Sequence, residues 1–301
     1  MIYEPIDFKY EGEAELGGRP VQRCGSRAMG TTFEISLADQ SREFAEQACW
    51  EAFTELRRLE EHLSRFIPHS DIARFNRQPL GEPLLVGPPT IECLACACDM
   101  YYRTEGAFDV SLGGGLEKME IYPAEHTLVR RGEISLDLGG IGKGYAVDGL
   151  VRFLQEFWQV ESALVQGGWS SFFGFDRTTA AAGWPVELTG PVKSGKNPPT
   201  GPVGAVSLQG ESLSSSSVLL EGPHILDPRT HAPAGEKLAA WALAPTAAAA
   251  DALSTAFFVM TPAEIENYCR QYPEVAGMIA RTNENKIDYQ TFGKWCPPPR
   301  E

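Results

Sequence analysis

Residues 133–138, Glu-Ile-Ser-Leu-Asp-Leu, alternate polar and apolar side chains with the two-residue period of a half-buried strand. From Tyr145 to Gln159 the apolar positions move to helical spacing. Gly139, Gly140, Gly142 and Gly144 crowd the junction between the two patterns, where a chain free of Cβ atoms can take positive φ and let another group come close. The same kind of reading gives a long amphipathic helix over 41–63 capped by Ser41. After the break at Pro68 comes a short helix led by Ser70 or Asp71 and carrying Ile72 and Phe75. A cysteine-bearing helix follows over 88–104, then a turn and short extended run over 105–114, and a hairpin over 121–130. Further strands are expected at the end of 27–37, at 162–166 and at 204–208, and a helix of high propensity over 244–260 with Pro245 and Thr246 at its start. Residues 268–291 hold a helix end and one or two strands.

Other stretches lack a clear period. Residues 1–20 read as an N-terminal arm or an added edge strand, leaving 21–301 as a single domain. Residues 176–204 are rich in Gly, Pro and Thr and read as a mobile loop region with a strand candidate at 184–188. The serine run inside 212–218 is short and flanked by apolar residues, so it reads as a structured turn with hydroxyls available.

Composition narrows the function classes. The 301 residues are 43% hydrophobic, enough for a sizeable core. A net charge of −14 argues against a general nucleic-acid surface. An acidic chain that binds an anion must gather its positive charge locally or recruit a metal. The N-terminus shows no signal peptide or lipid-anchor cysteine and no run long enough to span a membrane, so a cytoplasmic protein is expected. Seven scattered cysteines suggest reduced thiols. Cys93, Cys96 and Cys98 lack a second ligand cluster at zinc spacing, and a buried helix is the preferred reading.

The glycine turn ends where a helix starts, and free N–H groups, the positive dipole end and Lys143 all favour an anion there. It matches neither the dinucleotide fingerprint nor the P-loop, so a plain strand-to-helix turn is an equal alternative. Asp251 and Thr255, four apart on a helix, project oxygens from one face and suit a hard cation such as magnesium. A solvent-exposed or ion-paired Asp251, with Thr255 bonded to the carbonyl one turn back, is the plainer reading. An aspartate inside an Ala-rich apolar helix weakens it. His224 could act as a general base and Arg229 as a phosphate fork, or both could serve the Asp227-Pro-Arg-Thr turn.

Six stretches in order, Met29-Gly30-Thr31, 64–76, Gly106-Ala-Phe-Asp109, 137–148, 224–230 and 244–256, resemble the ApbE-type FAD:protein FMN transferases over most of residues 27–260. The resemblance implies an α+β, T-fold-like architecture with a flavin cleft between sheet-and-helix subdomains. It implies magnesium-dependent transfer of FMN from FAD to a Thr or Ser hydroxyl of a flavin-acceptor protein, releasing AMP. Mg2+ would be held by Asp251, Thr255 and the main-chain carbonyl at Gly142, with His224 and Asp251 catalytic. Met29, Phe66, Asp109, Gly140, Gly142, Lys143, Asp148 and Arg229 would bind FAD. Phe66 stands where the family usually has Tyr, and Gly142 where it usually has Ala. Trp169 replaces a usual Asp or Asn, Ser214 to Ser217 replace Thr-Ser-Gly and its polar or aromatic neighbour, and the segment onward to His224 is short. A non-catalytic FAD-binding protein and an FAD pyrophosphatase are therefore the alternatives, and a homodimer is compatible with either. No copy of the family's acceptor motif, Asp-Gly-x-Ser/Thr-Gly-Ala-Thr, is evident in the chain.

Overall fold

The computed structural model describes residues 6–178, 183–191, 200–218, 226–234, 237–283 and 286–295. The first half of the chain forms β1 (Phe8–Leu16), β2 (Arg19–Ala28), β3 (Thr31–Ala38), α1 (Arg42–Leu63), α2 (Asp71–Arg77), β4 (Pro83–Leu85), α3 (Pro88–Arg103), β5 (Met119–Tyr122) and β6 (Thr127–Arg130). The second half forms α4 (Gly142–Phe157), β7 (Ser162–Gly167), β8 (Ser171–Asp176), β9 (Trp184–Pro191), β10 (Thr200–Leu208), β11 (Glu211–Ser217), β12 (Lys237–Ala244), α5 (Ala247–Val259), α6 (Pro262–Gln271), β13 (Ala276–Asn283) and β14 (Lys286–Phe292).

Nine strands make one antiparallel sheet in the order β1-β2-β3-β7-β8-β11-β12-β13-β14. On one face α1 and α4 bury Phe53, Leu56, Val147, Leu150 and Leu154 against Phe33 and Ile35 of β3 and Val165 of β7. The core continues past α5 to α2, α3 and a three-stranded sheet, β4-β6-β5, where Ile72, Phe75, Leu94 and Leu128 pack with Leu253 and Phe257. Each such side chain contributes about 1.5–3 kcal/mol of burial. The β9–β10 ribbon covers the opposite face through Val186, Leu188, Val206 and Leu208. Among the described residues no helix is long and apolar enough to cross a membrane.

The expected helices form near their expected bounds. Ser41 and Ser70 accept the Phe44 and Ala73 amides at 3.2 and 3.0 Å, capping α1 and α2. On α3, Cys93 is buried while Cys96 is exposed, so the cysteines do not converge. Residues 8–16 form an edge strand paired with β2, the added edge strand of the two readings offered for this stretch.

Four expectations are corrected. Residues 133–138 are extended but join no ladder. Ile134, Leu136 and Leu138 are buried as the alternation requires, but the backbone partners are the Val110 carbonyl, which accepts from the Asp137 amide at 2.8 Å, and the side chain of Asn76. Asn76 accepts from the Leu136 amide at 2.7 Å and donates to the Leu136 carbonyl at 2.9 Å. The short extended run expected within 105–114 is a series of turns around Asp109. The serine run is strand β11, inside the sheet between β8 and β12, because small side chains fit under a helix. Most of 183–204 is the β9–β10 ribbon, whereas 179–182 and 192–199 lie outside the described residues.

Strand β12, Lys-Leu-Ala-Ala-Trp-Ala-Leu-Ala, was not expected. Ala240, Ala242 and Ala244 face the helices while Ala239, Trp241 and Leu243 face the ribbon. A strand buried on both faces carries no alternation, and its last residue merges with the helix pattern that follows. The helix itself begins at Ala247, with Thr246 accepting from the Ala249 amide at 3.2 Å.

Candidate functional site

Chemistry-bearing residues gather where the first turn of α4 meets α5, β8 and β11. None of Gly139, Gly140, Gly142 and Gly144 has a positive φ, which corrects the reason given for them. At Gly140 and Gly144 the protein itself comes close, whereas a Cβ on Gly142 would meet nothing nearer than Leu138 Cβ at 3.7 Å. A Cβ on Gly144 would stand 2.1 Å from the Ala247 carbonyl oxygen of α5, and one on Gly140 would stand 3.2 Å from the Phe108 ring and 3.3 Å from Thr255 Oγ1. Close contact at Gly144 puts its N–H within 3.0 Å of Asp251 Oδ2. Gly142 is the first residue of α4, and Lys143 donates to the Gly139 carbonyl at 3.0 Å.

Asp251 is 3% exposed, so the solvent-exposed reading is excluded. Besides the Gly144 amide, its partners are distant: Ser171 Oγ at 3.3 Å, Ser214 Oγ at 3.2 Å and Lys143 Nζ at 3.7 Å, all on Oδ1. A hydroxyl bound firmly to a carboxylate lies at about 2.6 Å. A buried carboxylate normally has a full set of partners, because an unpaired charge is costly away from water. Asp251 therefore keeps acceptor capacity in reserve.

Around it is a row of hydroxyls. Ser171 and Ser214 lie 3.2 Å apart, Ser216 lies 2.9 Å from Ser254 and 3.2 Å from Thr255. Thr255 also makes a long contact of 3.4 Å to the Asp251 carbonyl, the local bond the plainer reading anticipated. Alternate residues of a strand share a face, which is why Ser214 and Ser216 both point at α5. The sequence named Asp251 and Thr255 as a pair, held Gly144 in the glycine turn and Ser214 to Ser217 in the serine run without joining them to Asp251, and missed Ser171. A period-two reading of the serine run would have put Ser214 and Ser216 on one face.

Among the described residues no three His, Cys, Asp or Glu side chains cluster as a ready-made metal centre. One carboxylate and several neutral oxygens nevertheless fit a hard cation such as magnesium, which takes oxygen donors and commonly completes its shell with water and substrate phosphates.

The remaining expected residues divide. Met29 and Gly30, with φ of 51° and 73°, form the tip of the β2–β3 hairpin, and the Met29 amide donates to Glu60 of α1 at 2.7 Å. Phe66 is 79% exposed, with the Arg65 guanidinium 4.7 Å from its ring centre. Arg65 pairs with Asp137 at 3.0 Å, tying this turn to the approach of the glycine stretch. Asp109 is buried and spent locally, accepting from Ser111 N at 2.7 Å and Gly113 N at 3.0 Å. Asp148 accepts from the Ala247 and Ala248 amides at 2.7 and 2.8 Å and so caps α5, while burial outweighs those amides and pushes its carboxyl up to about 6. Its observed work is to fasten α4 to α5. Arg229 is not a free phosphate fork, because Asp227 at 3.0 and 3.1 Å and Glu264 at 2.8 Å occupy its donors. His224 lies outside the described residues.

A half-satisfied carboxylate beside a lysine and neutral hydroxyls has the chemistry to meet a phosphate ligand that arrives with its own cation, and the fold that carries it sets the class, a mixed α+β protein. The ApbE family profile matches residues 29–279, and the chain belongs to that family. An FAD:protein FMN transferase of Treponema pallidum is 27% identical over 89% of this chain and 87% of its own length. One from Haemophilus influenzae is 24% identical over 78% and 79%. Flavinyl transferase ApbE of Pseudomonas stutzeri shares the fold with a TM-score of 0.78 at 21% identity, covering 91% of this chain and 95% of that one. ApbE of Thermotoga maritima gives 0.74 at 22%, covering 90% and 97%.

Proposed function

We propose that this protein is an FAD:protein FMN transferase. The observation that carries the reading is Asp251, a buried carboxylate with spare acceptor capacity beside Lys143 and Thr255, in a chain whose relatives bear that activity's name. The acceptor is a Thr or Ser hydroxyl of a partner flavoprotein. Its oxygen attacks the phosphorus of the FMN half of FAD, the bond to the bridging pyrophosphate oxygen breaks, AMP leaves, and a base takes the hydroxyl proton. The base role stays with His224, on the strength of the resemblance.

Asp251, Thr255 and the Gly142 carbonyl would hold magnesium, which supplies charge neutralisation at the pyrophosphate when bound. Lys143 brings a second positive charge to the same few residues. The Gly144 amide orients Asp251, and Ser171 and Ser214 hold it from the other side without saturating it. Preorganised groups of this kind favour the charge that develops during phosphoryl transfer, which is the main demand of that reaction.

The test incubates the purified chain with FAD, with and without magnesium, and follows AMP, then adds a peptide bearing Asp-Gly-x-Ser/Thr-Gly-Ala-Thr. Magnesium-dependent AMP release with FMN on the peptide is the expected result. AMP and free FMN with an unmodified peptide would mean a pyrophosphatase, and intact FAD throughout would remove the transferase reading.

A further inference from the structure

Trp169 lies at the tip of the β7–β8 turn and is 88% exposed. Its backbone surroundings are tightly held. The Gly168 amide donates to the Thr32 carbonyl at 2.9 Å, Gln166 Nε2 donates to the Gly168 carbonyl at 2.6 Å, and the Ser170 carbonyl accepts from the Ser215 amide at 2.9 Å. Gly168 has a φ of 64°, and a Cβ there would stand 2.9 Å from Thr31 Oγ1, so the turn packs directly on the β2–β3 tip. A large aromatic ring is thus presented to water from a backbone anchored on both sides. Leaving an indole exposed forfeits the burial free energy that normally draws it inward.

The strand that follows ties this ring to the Asp251 site. Ser171, two residues on, reaches Asp251 Oδ1 at 3.3 Å, so the ring and the carboxylate are separated by only a short piece of one strand. The other exposed aromatic expected near the ligand, Phe66, already carries the Arg65 guanidinium against its ring. Among the described residues no ring or cation stacks on Trp169. A rigidly mounted, uncovered indole beside a phosphate-binding end fits one chemical class of occupant, a flat heteroaromatic ring attached to that phosphate.

We propose that Trp169 is a specificity-determining residue that stacks on a ring of the dinucleotide whose pyrophosphate meets Asp251, a role that rests on the FAD reading above. It places a stacking contact where the family pattern has a small polar side chain, and it makes the residue a source of binding energy for the ring rather than a participant in bond breaking. Isoalloxazine and adenine share the required chemistry, and the two halves of the ligand separate them.

The experiment measures binding of FAD, FMN and ADP, each with magnesium, to the full chain and to Trp169→Ala and Trp169→Phe by equilibrium dialysis, with flavin fluorescence read in parallel. Because the side chain is exposed, both variants should melt with the native protein. The native chain should bind FAD, Trp169→Ala should bind it about tenfold to a hundredfold more weakly, and Trp169→Phe should recover most of the loss. Flavin fluorescence quenching should weaken in the Ala variant if the ring is isoalloxazine. A matching loss for FMN alone assigns isoalloxazine, and a loss for ADP alone assigns adenine. Equal FAD affinity in native and Trp169→Ala overturns the proposal, including the case in which only transfer to the acceptor peptide falls, since the indole would then dock the acceptor. If the native chain binds no FAD, the function reading fails first and this one with it, a result visible before any variant is compared.

Discussion

Asp71 and Asp251 are both buried, at 5% and 3% exposure, and the protein treats them in opposite ways. Asp71 at the start of α2 is saturated: Oδ2 accepts from His62 Nδ1, the Gly87 amide and Thr90 Oγ1, each at 2.8 Å, and Oδ1 from Arg74 at 3.1 Å. Those donors come from α1, α2, α3 and the residue before α3, so the carboxylate is a tie among elements. Asp251 has one close amide, two long hydroxyl contacts and a lysine at 3.7 Å. Burial alone therefore does not separate the two carboxylates; unspent acceptor capacity does. Asp148 stands between the two, its oxygens given to two α5 amides and its charge disfavoured by burial.

The sharpest way to break this comparison is Asp251→Ala. Magnesium-dependent AMP release from FAD should fall by at least about 100-fold, the scale of losing a main electrostatic contributor. Stability should change by only ~1 kcal/mol, since the Gly144 amide is the one close donor left unpaired, while Ser171 and Ser214 keep each other and Lys143 keeps the Gly139 carbonyl. A melting curve beside the AMP assay checks both, and native-like AMP release would sink the metal assignment.

Next in size is Gly144→Ala. Its Cβ would meet the Ala247 carbonyl at 2.1 Å, so α4 must move from α5 and the Gly144 amide from Asp251. A stability loss of about 2–3 kcal/mol, with weaker magnesium-dependent AMP release, is expected in urea unfolding and the same assay. Asp71→Ala should invert the Asp251 result. Stranding the Gly87 amide, Thr90 and Arg74 should cost roughly 3 kcal/mol, while AMP release per folded molecule stays within a few-fold of native.

The smallest effect expected is a pH dependence at Asp148. Its carboxyl lies at about 6 in the fold against 3.8 for the ordinary group, so the folded state binds the proton more tightly. The stabilisation this provides is complete below pH 3.8 and is lost as pH rises through 6, by at most ~3 kcal/mol. Asp148→Asn, which does not titrate, should flatten the native decline in unfolding free energy between pH 4 and 6.5. An unchanged slope would assign that decline to other groups.

The helices at 41–63 and 88–104 were legible because each buries one face, and apolar spacing records a single buried face directly. The contact of Thr255 with the Asp251 carbonyl one turn back could be read from their spacing, and the ordered motifs carried the family. The pairing of Arg229 with Glu264 was not legible because Glu264, which occupies part of its fork, lies 35 residues away in sequence. Strand β12 was lost because burial on two faces erases alternation.

By itself, then, the chain determined its one-faced helices, the Ser41 cap, a cap at Ser70 or Asp71, the start of a helix at Thr246, and the contact of Thr255 with the Asp251 carbonyl, all of which depend on neighbours within a turn or two. The tertiary structure decided the rest. It made the serine run a central strand and gave Asn76 the place of a strand neighbour beside Leu136. It put Gly140 and Gly144 to use for close packing, and it left Asp251 undersaturated while filling Asp71. Those outcomes depend on which distant donors arrive at each oxygen, and the arrival of a donor from another element leaves no period in the sequence.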